Sequence, residues 1–110
     1  MSYQHKDLAA GRWNQLSLVE QMANIASEVE RALNWQAKHK AVYCQQAFER
    51  SLELLDLTLA SQKEFPRLKE VARLREAIAD YFTGANQFNF DAASLRKYFS
   101  HFTYACRRNH

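Results

Sequence analysis

The chain has 110 residues and a formal net charge of +3, and 47% of its residues are apolar and 13% aromatic. This composition excludes a disordered chain, and the length fits one domain with one core. Two glycines and one proline are too few for the turns of a sheet protein, so we predict an all-α fold. No apolar run approaches the roughly 18 residues of a membrane span, which favours a soluble, cytoplasmic protein without a membrane partner.

The first sixteen residues show no clear periodicity. We therefore predict that residues 1–16 form a loose N-terminal arm, with Trp13 and Leu16 docking on the rest of the chain. Over residues 17–110 the apolar residues recur at steps of three and four, which indicates one domain of amphipathic helices.

Local signals divide this domain into four helices. Ser17 and Glu20 have the spacing of a capping box, in which each side chain accepts from the other residue's backbone N–H. Pro66 suits the first turn of the third helix, Gly84 a left-handed cap after it, and Asp91 an N-cap before the fourth. The predicted helices cover residues 17–36, 38–61, 66–82 and 92–107. Four amphipathic helices with short links predict an up-down four-helix bundle.

The carboxylates of the first two helices have two possible roles. Arg75 lies at the edge of the apolar stripe of the third helix, so we expect it either to extend into solvent or to pair with a carboxylate. The candidate partners are Glu28, Glu49, Glu53 and Asp56. None of them begins the Glu-x-x-His motif of metal-binding bundles, and Cys44 and Cys106 have no second ligand at metal spacing. We therefore predict no metal ion and no other cofactor.

The basic excess lies at the C-terminal end of the chain. Residues 91–110 carry four Lys or Arg and one Asp, whereas residues 1–62 carry six Lys or Arg and seven Asp or Glu. This asymmetry favours a nucleic acid or an acidic protein as partner, although an ordinary solvated surface has the same composition. The candidate binding residues are Arg67, Arg73, Arg96, Lys97, Tyr98, Arg107 and Arg108.

The aromatic residues predict self-association. Seven of them exceed what one four-helix core encloses, and exposed aromatic residues are typical of interfaces. They are Trp13, Trp35, Tyr43, Tyr81, Phe88, Phe90 and Tyr98. We expect a homo-oligomer, with a symmetric dimer as the simplest form.

The stretch LRKYFSHF places Arg96 and His101 five positions apart in the fourth helix. This R-x4-H spacing resembles that of the HEPN superfamily, small α-helical bundles of which many are metal-independent ribonucleases. The resemblance implies that Arg96 stabilises the phosphate and that His101 assists proton transfer. At 100° per residue the two side chains lie on opposite flanks of a regular helix, so they share no site within a monomer unless the helix is broken between them. The resemblance implies an active cleft formed across a dimer, which brings flanks of two chains together.

A second resemblance, to a family of small bacterial helical proteins, covers most of the chain. It rests on four segments: GRWNQLSLVEQMANIASEVERALNW, FERSLELLDLTL, REAIADYFTGANQF and KYFSHFTYACR. It implies a four-helix fold and supplies no catalytic residues. The leading hypothesis is therefore a non-catalytic interaction or accessory protein that contacts RNA or a nucleic-acid enzyme through its basic C-terminal helix. The alternative is a HEPN-like ribonuclease that uses Arg96 and His101 across a dimer.

Overall fold

The computed structural model describes residues 11–62, 64–87 and 89–108, and at positions 101 and 105–108 it describes the backbone alone. Within these ranges the regular secondary structure is helical and no strand occurs, which confirms the predicted all-α class. A short helical segment at residues 11–13 precedes four long helices. The long helices are α1 (Leu18–Ala37), α2 (Ala41–Ser61), α3 (Phe65–Thr83) and α4 (Ala92–Arg108).

The start of α1 is the predicted capping box. Ser17 Oγ accepts from the backbone N–H of Glu20 at 3.1 Å, and Glu20 Oε1 accepts from the backbone N–H of Ser17 at 2.9 Å. Two N–H groups that a helix start leaves without intrahelical partners are satisfied in this way. The cap therefore fixes the first residue of the helix that forms the centre of the core.

The α1–α2 turn begins the second helix later than predicted. Lys40 N donates to Trp35 O and His39 N donates to Gln36 O, both at 3.0 Å, and His39 has a left-handed φ of 58°. These are the two hydrogen bonds of a Schellman motif. The predicted helix start at residue 38 is wrong because residues 38–40 use their backbone to close α1, so that α2 begins at Ala41.

The two ends of α3 differ in how well the sequence predicted them. Pro66 lies in the first turn, as predicted. Gly84 follows the last helical residue but has an extended φ of −107°, so the predicted left-handed cap is wrong. Glycine is favoured at this position for another reason, because the backbone passes close to Asp80. A Cβ at this position would lie 2.9 Å from Asp80 Oδ1 and 3.1 Å from Asp80 O.

The α3–α4 loop is closed by an asparagine side chain. Asn86 donates from Nδ2 to Phe90 O at 2.7 Å and accepts from Phe90 N at Oδ1 at 3.1 Å. Asp91 then caps α4 as predicted, because its Oδ1 accepts from Ser94 N at 2.7 Å. Hydrogen bonds from Ser94 lower the pKa of the Asp91 carboxyl below its ordinary value, and the bond from the Ser94 backbone N–H has the largest effect.

The core is centred on α1, which packs most extensively on α2 and next on α4, while α2 also packs on α3. Each long helix contributes one buried apolar stripe and keeps a polar outer face. The largest fully buried apolar side chains are Met22, Ile25, Val29, Leu55, Ile78 and Leu95. Within the described ranges no helix is long and apolar enough to cross a membrane.

Trp13 closes one end of this core. Its side chain is 7% exposed, and Nε1 donates to Thr58 Oγ1 at 2.9 Å. The buried side chain of Gln21 donates from Nε2 to Trp13 O, also at 2.9 Å. Docking of Trp13 on the helices is thus as predicted, whereas residues 1–10 of the predicted arm lie outside the described residues.

Most of the aromatic residues that predicted self-association contribute to the packing of a single chain. Tyr43 is 52% exposed, Trp13 is buried, and the other described members of that set are partly buried. Phe88 lies outside the described residues. Trp13 belongs to the core of the single chain, and Tyr81, Phe90 and Tyr98 pack against it, so four of the seven rings contribute to a single-chain core. The dimer itself stays a prediction.

Candidate functional site

The predicted binding residues lie on more than one side of α4. Arg96 faces α1, where Nε donates to both carboxylate oxygens of Glu30 at 2.9 and 3.0 Å and Nη2 donates to Asn34 Oδ1 at 3.1 Å. Tyr98 faces α3, where its hydroxyl donates to Glu70 Oε1 at 2.9 Å. Arg96 is thus held within the chain, two residues from a tyrosine on the opposite flank.

The other predicted binding residues whose side chains are described lie on α3 and on α4. Arg73 lies on the surface of α3, and Lys97 is exposed on α4. Arg67, in the first turns of α3, forms an exposed ion pair with Glu64 at 3.3 Å. The side chains of His101, Arg107 and Arg108 lie outside the described residues.

The structure brings Arg73 and Tyr98 together in a groove between α3 and α4. The groove has a volume of about 520 Å³. We call it the α3–α4 groove, and its lining residues are Pro66, Lys69, Glu70, Arg73, Leu74, Ala77, Phe90 and Tyr98. The stretch of α3 from Pro66 to Ala77 is about 16 Å long, or about three helical turns.

The floor of the α3–α4 groove is apolar and firmly packed. Leu74 is 5% exposed and Ala77 is 3% exposed. Phe90 and Tyr98 are half-buried members of the wider core cluster. Burial, followed by the hydrogen bond to Glu70, raises the pKa of the Tyr98 phenol well above its ordinary value. Tyr98 is therefore a neutral donor that ties α4 to α3 across the groove at physiological pH.

The rim of the α3–α4 groove carries two cations, Lys69 and Arg73, and one carboxylate, Glu70, which accepts the hydrogen bond of Tyr98. Lys69 and Arg73 are four residues apart and lie on the same side of α3. Both side chains are exposed, and neither contacts an acidic group among the described residues. Sequence reasoning included Arg73 but missed Lys69. The four-residue spacing of the two cations was the signal that could have found it.

A second groove, between α1 and α4, has a volume of about 620 Å³. Glu30, Asn34 and Arg96 line it, together with Tyr104. Here the cation is neutralised by Glu30 within the chain. This groove therefore offers an incoming ligand little unmatched charge at Arg96.

The structure identifies the partner of Arg75. Its Nε donates to Asp56 Oδ1 at 2.6 Å and its Nη2 donates to Asp56 Oδ2 at 3.4 Å. The two side chains are 35% and 45% exposed, so the expected ion pair forms at the edge of the core. The pair joins α2 to α3 and is a structural contact.

Groups with catalytic potential are scarce in the described part of the chain. Burial raises the pKa of the Cys44 thiol, which disfavours the nucleophilic thiolate. No cluster of three metal-ligating side chains occurs among the described residues. On α2, burial and then the neighbouring charge of Glu49 raise the pKa of the Glu53 carboxyl.

Comparisons with protein-family models, with curated proteins and with solved structures gave no match to this chain. The geometry of the described residues is therefore the basis for assigning a function.

Proposed function

We propose that this chain is a non-catalytic helical-bundle interaction protein whose α3–α4 groove binds an acidic amphipathic helix of a partner protein. One observation carries the proposal: a groove with a buried apolar floor is bordered by two cations that form no ion pair among the described residues, while Glu70 of the same lining accepts from Tyr98. An apolar floor favours burial of apolar side chains, and a basic rim favours carboxylates beside them.

The dimensions of the groove support a helical ligand. About three turns of α3 line it, which matches a partner helix that presents apolar anchors over two to three turns. Lys69 and Arg73 lie one turn apart, so carboxylates four residues apart on the partner fit them. The Tyr98–Glu70 hydrogen bond keeps the floor in place before the partner arrives, which lowers the conformational cost of binding.

We further propose that the four long helices form an up-down bundle. Contacts between neighbouring helices support this arrangement, because residue numbers rise along one helix as they fall along the next. The contacting pairs are Glu28 with Arg50, Trp35 with Tyr43, Asp56 with Arg75 and Phe48 with Phe82. In such an arrangement the α3–α4 groove separates the last helical pair of the bundle.

The test is a binding titration with a designed helical peptide of about three to four turns that carries leucine anchors and a glutamate pair at four-residue spacing. We expect saturable binding, and backbone amide shifts in NMR spectra that are concentrated at Leu74, Ala77 and Tyr98. A peptide with lysines in place of the glutamates should bind at least tenfold more weakly, because like charges then face each other.

A matched pair of charge reversals isolates the rim. Arg73→Glu should weaken binding of the acidic peptide about tenfold. Arg12→Glu, at an exposed position outside the groove, should leave the affinity unchanged. Equal effects of the two substitutions, or no binding by a folded protein, would contradict the proposal.

The ribonuclease alternative and the homo-oligomer stay predictions. The ribonuclease hypothesis requires Arg96 to leave Glu30 and Asn34 before it can contact a phosphate. An RNA cleavage assay in EDTA should compare the wild type with His101→Ala, and the mass of the particle should be measured on the same samples. Cleavage that a folded His101→Ala variant loses would replace the interaction proposal with a nuclease.

A further inference from the structure

The α1–α2 turn has a surface of a different chemistry, far from the α3–α4 groove in sequence. No Asp or Glu occurs between residues 31 and 48, whereas Lys38, His39 and Lys40 follow one another within that stretch. All three are exposed. None contacts an acidic group among the described residues. This turn therefore carries unmatched positive charge.

Aromatic rings lie beside this turn. The ring centroids of Trp35 and Tyr43 are 4.8 Å apart, and Lys38 Nζ lies 5.4 Å from the centroid of Trp35. Tyr43 is 52% exposed and its neighbour Val42 is 68% exposed. Because large apolar side chains are costly to expose, a cluster of them among cations indicates a binding surface. We call Trp35, Lys38, His39, Lys40 and Tyr43 the turn surface.

A pocket opens on the other side of the same turn. Its volume is about 380 Å³, its apolar wall is formed by Phe48 and Phe82, and Gln36 and Gln45 supply amide groups. Lys40 and His39 line it as well. Positions 41 and 45, which line the pocket, lie about 160° around α2 from Tyr43. The cationic turn therefore lies between an exposed ring on one side and an aromatic pocket on the other.

The backbone holds this arrangement in a fixed geometry. The Schellman hydrogen bonds from His39 N and Lys40 N close the turn, and His39 holds its left-handed φ. Lys40 O then accepts from Cys44 N at 2.9 Å as the first hydrogen bond of α2. The cations are thus presented on an ordered backbone, which lowers the entropy that a ligand must remove.

We propose that the turn surface binds single-stranded nucleic acid. Tyr43, an exposed ring that packs beside Trp35 among the lysines, matches such a strand, whose bases stack on rings while its phosphates contact cations. A duplex fits less well, because its bases are already stacked on each other and reach neither Tyr43 nor the pocket. An acidic protein would use the cations but gains little from a tyrosine face and an amide-edged aromatic pocket. This inference is independent of the partner proposed for the α3–α4 groove.

The test is fluorescence anisotropy of a labelled oligothymidylate of about ten nucleotides with the full-length chain, at about 50 and 200 mM salt. Tyr43→Ala should weaken binding about tenfold, whereas Tyr43→Phe, which keeps the ring, should retain it. Lys40→Gln should weaken binding and reduce the slope of log affinity against log salt by about 0.7, the value for one phosphate contact on a single strand.

Two controls decide the outcome. Arg12→Gln removes one exposed charge elsewhere and should change neither the affinity nor the salt slope. A duplex of the same length should bind more weakly than the single strand.

The proposal is overturned if the duplex binds as tightly, if Lys40→Gln matches Arg12→Gln, or if no single strand binds. It is also overturned if Tyr43→Ala changes the mass of the particle but not the affinity, because the turn surface is then a contact between copies of the chain.

Discussion

On the α1 side of α4, Arg96 donates to both carboxylate oxygens of Glu30 and to the side chain of Asn34. On the α3 side, Arg73 borders a groove and contacts no acid among the described residues. The difference follows from packing. Because α1 packs extensively on α4, it brings a carboxylate within reach of Arg96. In contrast, α3 makes no extensive backbone contact with α4 and leaves an open groove with Arg73 at its rim.

The comparison shows that a basic residue becomes a candidate ligand-binding group only when its own fold does not neutralise it. Arg96 belonged both to the nuclease hypothesis and to the predicted basic patch, and it donates three hydrogen bonds to Glu30 and Asn34, more than any other described cation. Lys69 was not predicted, although it is exposed beside an apolar floor. The three experiments below test the anchor that both sides of α4 share and then each side separately.

Leu95→Ala should have the largest effect on stability, since it removes the anchor that both sides share. Leu95 is fully buried, and truncation of a buried leucine costs about 2–5 kcal/mol. We expect the free energy of unfolding, measured by urea denaturation, to fall by that amount. Lys97→Ala, at an exposed position of the same helix, should change it by less than about 0.5 kcal/mol. A small loss for Leu95→Ala would show that α4 is not anchored in the core.

Tyr98→Phe should have an intermediate effect, and its effect should depend on pH. It removes the hydrogen bond to Glu70, which costs about 0.5–1.5 kcal/mol at neutral pH. The folded-state pKa of Tyr98 is raised above its ordinary value of 10.0, so the neutral phenol favours the folded state. That contribution is fully present below pH 10.0 and is lost as pH rises from there through the folded-state pKa.

Urea denaturation of the wild type and Tyr98→Phe at pH 8 and above pH 10 measures this dependence. The difference in stability between the two proteins should narrow at the higher pH. Tyr43→Phe is the control, because Tyr43 is half-exposed, and it should show no such change. A difference between wild type and Tyr98→Phe that stays constant across both pH values would contradict the assigned role of the Tyr98 hydroxyl.

The all-α class could be predicted because the helices are marked by local signals. The capping box at Ser17, the proline at residue 66 and the cap at Asp91 depend only on neighbouring residues, and all three are confirmed. The failures arose where two interpretations share one local signal. Gly84 permits a left-handed cap and also a close approach to Asp80, and only the path of the chain decides between them.

The candidate site was harder to predict because it depends on which helices meet. The sequence places Arg96 and Tyr98 on different flanks of α4, but it does not say that Glu30 faces one flank and an open groove the other. Lys69 and Arg73 resemble any exposed pair of cations until Leu74 and Ala77 are seen as the floor beside them. The apolar periodicity of one helix therefore identifies its exposed charged residues. Whether those residues are available to bind a ligand depends on which side chains the neighbouring helix places beside them.

The smallest effect on stability is expected from the Glu30–Arg96 ion pair on the α1 side of α4. Substitutions in this pair also test directly why the two sides of α4 differ. Glu30→Gln and Arg96→Gln, alone and together, form a double-mutant cycle whose coupling energy should be about 0.2–1 kcal/mol, because both side chains are about half-exposed. Glu30→Gln also removes the negative charge beside Arg96 without changing the groove on the other side. If neutralisation within the chain is what keeps Arg96 from binding anions, Glu30→Gln should strengthen salt-dependent binding of an anionic probe such as inorganic phosphate, and the double variant should not. Equal binding by the two variants would mean that Arg96 is inaccessible for another reason, and the proposed contrast between the two sides of α4 would fail.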